Sequence, residues 1–254
     1  MRTMLWIKEF QGRKGHVILV HGLGEHSKRY LWLSELLQKE DYGLILFDLP
    51  GHGESSGKRG HATFEEIFDF LDRLLESHPN SFLMGHSLGG LIAVRYAELR
   101  ENLRGLVVTS PALRLSKDNS LLRFVASFFS LVAPRLTFDN GIDPNNLSTN
   151  KDAVKRYVKD PLVHKKISAK LAHDMFVNSR VALKEANKIS VPCLVALGEK
   201  DSITFPEGGK QLFDLISSPD KTLKVYKGSF HELFEDEKNG PIFMKDLIDW
   251  IKKH

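Results

Sequence analysis

The chain reads as an α/β protein: a mostly parallel central sheet with helices on both faces, interrupted late by a helical insert. Three observations carry that expectation. Short apolar runs bounded by glycine alternate with longer segments of helical period. Several of those runs are apolar enough to be buried on both faces, as central parallel strands are. One connection between two runs is far longer than a crossover needs. With 254 residues, 42% apolar and 27% charged, the chain has the composition of a globular protein and the length to enclose a large core.

The elements follow in order. Residues 4–10 suit an edge strand. VILVH at 17–21 and LILFD at 44–48 read as central parallel strands. Between them, residues 29–40 carry a helical stripe of Tyr30, Leu33, Leu36 and Leu37. A second helix is expected over 63–76, with Thr63 as cap and Glu66 at the capping-box position. Its apolar side holds Phe64, Ile67, Phe68, Leu71, Leu74 and Leu75. SFLMG at 81–85, a helix over 88–100 and GLVVT at 105–109 continue a βαβ series. The series resumes with VPCLVALG at 191–198, a helix over 206–217, TLKVYKG at 222–228 and a closing helix over 241–252. Cys193, the only cysteine, reads as a small buried hydrophobe in its strand, so no intrachain disulfide can form.

The surplus between the two halves must fold as an insert. Helical stretches fit 120–133, 150–158 and 162–177, separated by turn signals such as DNGIDPNN. Residues 115–187 are therefore expected to cap the carboxyl ends of the strands, with 1–114 and 188–254 as the core. In 120–133, Leu121, Leu122, Phe124, Val125, Phe128, Phe129 and Val132 form a broad apolar arc opposite Arg123, Ser127 and Ser130. Either this arc packs apolar-side down, or part of it, at 121–132, stays exposed and meets lipid.

Residues 85–89 read Gly-His-Ser-Leu-Gly between an apolar strand and a helical pattern. A serine on a sharp strand-to-helix turn is the arrangement of a hydrolase nucleophile, and the flanking glycines avoid collisions with neighbouring backbone. Ser87 needs a base, expected late in the chain, and an acid between them. His231 follows the last strand and Asp201 the one before it, with Glu199 as the competing carboxylate. Asp48 also ends a strand, but hydrogen bonding into the following Pro-Gly-His-Gly turn is the job expected of it. The oxyanion formed on attack needs donors already in place. The backbone N–H groups of Leu88, at the start of a helix, and Leu23, in the His-Gly-Leu-Gly loop at 21–24, are the candidates. His21 is expected to hold that loop, and His86 to be a packed neighbour of the nucleophile.

The same residues exclude other chemistries. A dehalogenase or epoxide hydrolase would want an aspartate at position 87. No histidine pair or cysteine cluster has metal-ligand spacing, and the glycines at 51, 53, 57 and 60 make no phosphate loop. No metal and no cofactor are expected. The formal charge of +4 is dispersed, which argues against nucleic acid as a partner. Neither a spanning helix nor a signal-peptide pattern is read, so the expectation is a cytoplasmic chain, with peripheral membrane contact as an accessory property.

At this point the whole chain resembles the monoglyceride lipase branch of the α/β-hydrolases. HGLGEHSKRY at 21–30, FDLPGHGESSGKRG at 47–60, GHSLGG at 85–90, LGEKD at 197–201 and KVYKGSFHEL at 224–233 carry the resemblance. It persists in the insert at APRLTFDNGIDPNNLSTN and YVKDPLVH. The resemblance implies an α/β-hydrolase fold and the family's nucleophile, acid and base at Ser87, Asp201 and His231, with its oxyanion donor at Leu23. It further implies cleavage of a monoacylglycerol, its acyl chain held in an apolar tunnel under the cap, whose first helices would lean on membranes. A broad carboxylesterase or a lysophospholipase is the alternative, and a catalytically dead binding protein of the same fold is the competitor from another class.

Overall fold

The computed structural model describes residues 4–254. Seven strands form the main sheet: β1 (Ile7–Phe10), β2 (His16–Val20), β3 (Gly43–Phe47), β4 (Phe82–His86), β5 (Gly105–Thr109), β8 (Cys193–Gly198) and β9 (Lys221–Tyr226). Two short strands, β6 (Thr137–Asp139) and β7 (Lys166–Ser168), pair separately. The helices are α1 (Trp32–Lys39), α2 (Phe64–Ser77), α3 (Leu88–Leu99), α4 (Ser120–Val132), α5 (Lys151–Lys159), α6 (Ala169–Glu185), α7 (Pro206–Leu215) and α8 (Gly240–Lys253).

The strand order is β1-β3-β2-β4-β5-β8-β9, with only β1 antiparallel. Strands β3, β4, β5 and β8 are buried along their whole length, which is why their sequences run apolar without alternation. Alternate residues nevertheless serve opposite faces. Ile18, Val20, Ile45 and Phe47 pack with Leu71 of α2, Leu91 of α3 and Leu212 of α7. Val17, Leu19, Leu44 and Leu46 pack with Leu33 and Leu37 of α1 and with Phe243 and Leu247 of α8. Cys193 is buried in β8, and burial pushes its thiol up to about 12.

From β2 the chain crosses to β3 on one side and then to β4 on the other. The connections leaving β2 and β4 therefore diverge, and a crevice opens at their carboxyl ends, where such sheets hold ligands. Residues of the segment between β5 and β8, among them Val125, Ile167 and Met175, line a cavity together with Leu23 and Ser87 at that end of the sheet.

That segment departs from expectation in one place. The helix expected over 162–177 begins at Ala169 and runs to Glu185. Residues 166–168 are instead strand β7, paired antiparallel with β6 in a stretch read from sequence as turns. The Ser168 hydroxyl accepts the Leu171 N–H and so sets the true helix start. Helix α6 joins the main core along its length, since Leu171, Met175 and Ala182 pack in one cluster with Leu91 and Val94 of α3. Two smaller differences are local. The stripe at 29–40 is a 3-10 turn over Ser27–Tyr30 followed by α1. Thr63 caps α2 by accepting from the Glu66 N–H at 3.2 Å, but no return bond from the Glu66 carboxylate is made. Among the described residues, no helix is long and apolar enough to cross a membrane.

Helix α4 resolves the two readings of its apolar arc by dividing it. Only Ala126 is buried. Leu122, Val125 and Ala126 face a cavity below, whereas Leu121 (69% exposed), Phe124 (69%) and Leu131 (82%) face outward.

Candidate active site

Ser87 is the hinge between β4 and α3, with φ 55° and ψ −116°. This left-handed conformation is strained for any residue with a Cβ. The strain is held by close packing on both sides. A side chain on Gly85 would meet the Gly89 carbonyl, and one on Gly89 would run into the Val20 carbonyl of β2. The Ser87 N–H donates to Thr109 O at 3.0 Å, and its carbonyl accepts from Leu91 and Ala112. Ser87→Gly should therefore be more stable than Ser87→Ala by about 1 kcal/mol, the relief of strain exceeding the entropy cost of glycine. Urea midpoints measure it; equal midpoints would show that the turn holds no strain.

Asp201 and His231 lie on the loops after β8 and β9. Asp201 Oδ2 is 2.7 Å from His231 Nδ1, and both side chains are buried. Asp201 Oδ1 accepts the Ile203 and Thr204 N–H groups, and the Thr204 hydroxyl lies 2.9 Å from Oδ2. Burial alone would push this carboxyl up, but His231 and these donors outweigh it and hold Asp201 below its ordinary value. Burial likewise opposes charge on His231, yet the Asp201 charge and hydrogen bond raise it above the usual imidazole range. Glu199 is turned away, accepting the Gly228 N–H at 2.9 Å.

Neighbours of Ser87 in the chain and in the sheet touch His231. Ser110, just past Thr109, donates its hydroxyl to the His231 carbonyl at 2.8 Å. The His86 ring lies 4.8 Å from that of His231. No hydrogen bond joins Ser87 Oγ to His231 Nε2 among the described residues. His86 is buried and shares a 2.9 Å bond with the Thr109 hydroxyl; burial, then His231, lowers it to about 3, and it stays neutral.

The loop after β2 presents the other candidate donor. His21 Nε2 accepts the Leu49 N–H at 2.9 Å, so Nδ1 carries the proton and donates to Gly22 O. A Cβ on Gly22 would come 3.2 Å from that of Ser87, so this loop passes close by the serine. Leu23 and Leu88 are both buried residues, and among the described residues neither backbone N–H donates to a side chain or across a turn. Asp48 reaches further than its own turn: it accepts from the Ser27 N–H and hydroxyl as well as from the Glu54 N–H.

A buried network that the residue-by-residue reading missed ties these loops together. Glu25 accepts from the Gly22 N–H at 2.6 Å, the Tyr30 hydroxyl at 2.7 Å and Arg29 at 2.6 Å. Arg29 also makes a two-toothed pair with Glu232 at 2.6 and 2.8 Å. The oxyanion-side loop is thus clamped to the residue after His231. Burial raises both carboxyls; Arg29 overrides it for Glu25, whereas Glu232, facing the Glu25 charge, stays above its ordinary value. The available signal was the i,i+4 spacing of Glu25 and Arg29; nothing in the sequence joined Glu232 to them.

A cavity of about 500 Å³ starts at Ser87 and Leu23 and runs beneath α4. Leu115, Leu122, Val125, Phe138, Ile167 and Met175 make its walls apolar. Lys117, Asp139, Asn140, Asp143 and Asn146 add polar groups to its lining.

Comparison with known proteins shows the family and the fold. A family model described as serine aminopeptidase, S33, matches residues 11–238. The crystal structure of a monoacylglycerol lipase from Paleococcus ferrophilus superposes with a TM-score of 0.96 at 45% identity, covering 99% of each chain. Human monoglyceride lipase is 34% identical over 94% of this chain and 83% of its own. A phospholipase of Bacillus subtilis is 28% identical over 89% of this chain and 91% of its own.

Proposed function

The chain belongs to the α/β-hydrolase superfamily, in its monoglyceride lipase branch, and is a serine ester hydrolase; from that premise we propose how its residues cleave a long-chain monoacylglycerol. The observation that carries the substrate class is the apolar cavity opening directly from Ser87. Its size suits a single acyl chain. Each methylene buried there contributes ~0.8 kcal/mol, which favours long chains.

In this reading Ser87 Oγ attacks the ester carbonyl while His231 Nε2 takes its proton, and Asp201 holds the imidazole tautomer. The N–H groups of Leu23 and Leu88 bind the oxyanion. The C–O bond to glycerol breaks as His231 returns the proton to the leaving oxygen. Water, deprotonated by His231, then attacks the acyl-enzyme, and the fatty acid leaves as Ser87 recovers its proton. Residues 115–187 act as the cap, and the walls they supply exclude water from the acyl chain.

The test is fatty-acid release from a long-chain monoacylglycerol beside the matched triacylglycerol, a lysophospholipid and an aminoacyl anilide. Preferred turnover of the monoacylglycerol is expected. Equal rates on the three lipids would move the assignment to a general esterase, and cleavage of the anilide alone would move it to a peptidase.

The outward residues of α4 suit peripheral contact with a lipid surface, on the cytoplasmic side, from which substrate enters the cavity below. Phe124→Asp with Leu131→Asp should weaken co-sedimentation with phosphatidylcholine vesicles while turnover of a soluble short-chain ester is kept. Unchanged co-sedimentation would remove α4 from that role.

A further inference from the structure

At the amino-terminal edge of the sheet, away from the crevice, three potential ligands from three elements converge. They are Glu9 on β1, His16 at the first position of β2, and His78 just past α2. Their ligand atoms all lie within 4.8 Å of one another. Glu9 Oε1 is 3.2 Å from His78 Nε2 and 3.6 Å from His16 Nε2. With metal–ligand bonds of ~2.0–2.1 Å, the edge of a tetrahedral zinc site is about 3.3 Å. The two measured separations bracket that value.

The surroundings favour a metal over a plain ion pair. His78 Nδ1 lies 3.1 Å from the Leu74 carbonyl and 3.0 Å from the Ser77 hydroxyl; in the tautomer that donates to Leu74, the Nε2 lone pair faces Glu9 at 3.2 Å and is free for a cation. His16 Nε2 is buried and has no hydrogen-bond partner. Two ring nitrogens and a carboxylate oxygen thus face one another; without a cation, His78 Nε2 can serve Glu9 only as a hydrogen-bond donor, and His16 Nε2 keeps no partner. Gln11 donates its amide to Glu9 Oε1 at 2.6 Å, which uses one lone pair of that oxygen and orients the other. Gly43, paired with His16 across the strands, leaves the space that the His16 ring fills.

We propose that Glu9, His16 and His78 form a structural site for a divalent cation of the zinc class, with water as the fourth ligand, fastening edge strand β1 to β2 and α2. Strand β1 has four residues and is the sheet's only antiparallel member, so a cross-link there stiffens its least supported edge. The site is separate from the ester chemistry and does not depend on that assignment.

The experiment is calorimetric titration of the untagged, chelator-treated full chain with zinc chloride, with cobalt chloride in parallel. One equivalent of zinc should bind with micromolar or tighter affinity, and Tm should rise by about 5 °C at a hundredfold excess over Kd. Cobalt should give the intense visible bands of tetrahedral coordination. His78→Gln and Glu9→Gln should each weaken binding at least about tenfold and leave ester turnover unchanged. The site is ruled out if no zinc binds below 100 μM, if the cobalt bands are those of a weak octahedral complex, or if the variants bind as tightly as the parent chain. Should a variant fail to fold, the cobalt spectrum of the parent chain still decides.

Discussion

Replacing Ser87 by alanine is expected to lower kcat for ester hydrolysis on the order of 10⁶-fold, and His231→Ala to cost about the same. The reason is that nucleophile and base act as one unit. A serine hydroxyl without its base keeps its proton, and a base without the serine has nothing to activate. The Ser87→Ala, His231→Ala double variant should therefore be little worse than either single one. Residual rates above water would come from the Leu23 and Leu88 donors and from acyl-chain binding, which neither change touches. Single-turnover kinetics, with fluorophosphonate labelling of the parent chain at Ser87, measures both points. Multiplicative losses in the double variant would mean that the two residues serve separate steps, and retained turnover in Ser87→Ala would move the nucleophile elsewhere.

Why these residues were legible in advance, and others were not, follows from how each is fixed. Strands β4 and β8 are buried on both faces, so apart from His86 at the end of β4, whose ring is hydrogen-bonded to Thr109, their residues are apolar or glycine and the runs stand out from their neighbours. Ser87 is read from local geometry: the glycines at 85 and 89 stand where backbone approaches too closely for a side chain. Asp201 and His231 follow from being the groups that end successive strands of one sheet. Strands β6 and β7 have three residues each, too few for a period to register, and only their mutual pairing shows them as strands. That pairing moved the start of α6. The Glu25–Arg29–Glu232 clamp and the Glu9–His16–His78 cluster each join two neighbouring residues to a third far away in the chain, Glu232 and His78. Only the fold brings them together.

Asp201→Asn should lower kcat about 10⁴-fold with the fold intact, and its pH profile should identify why. An asparagine at 201 can still accept from the Ile203 and Thr204 N–H groups, so the loop geometry is kept. What it loses is the charge facing His231 Nδ1. His231 must be neutral at Nε2 to take the serine proton, so kcat/KM falls as pH drops through its pKa. In the parent chain burial opposes the charged imidazole, but Asp201 more than compensates and raises that pKa. Removing the charge leaves burial dominant, so the acid limb of the profile should move to lower pH even as the plateau falls. The amide can also donate to Nδ1, favouring the tautomer that puts the proton on Nε2, where it blocks the serine. A drop in rate with an unmoved acid limb would mean that His231 is not the group titrating, and that Asp201 supports the loop rather than the base. An acid limb displaced downward, with Glu199→Gln leaving both rate and limb untouched, would fix Asp201 as the carboxylate that orients the base.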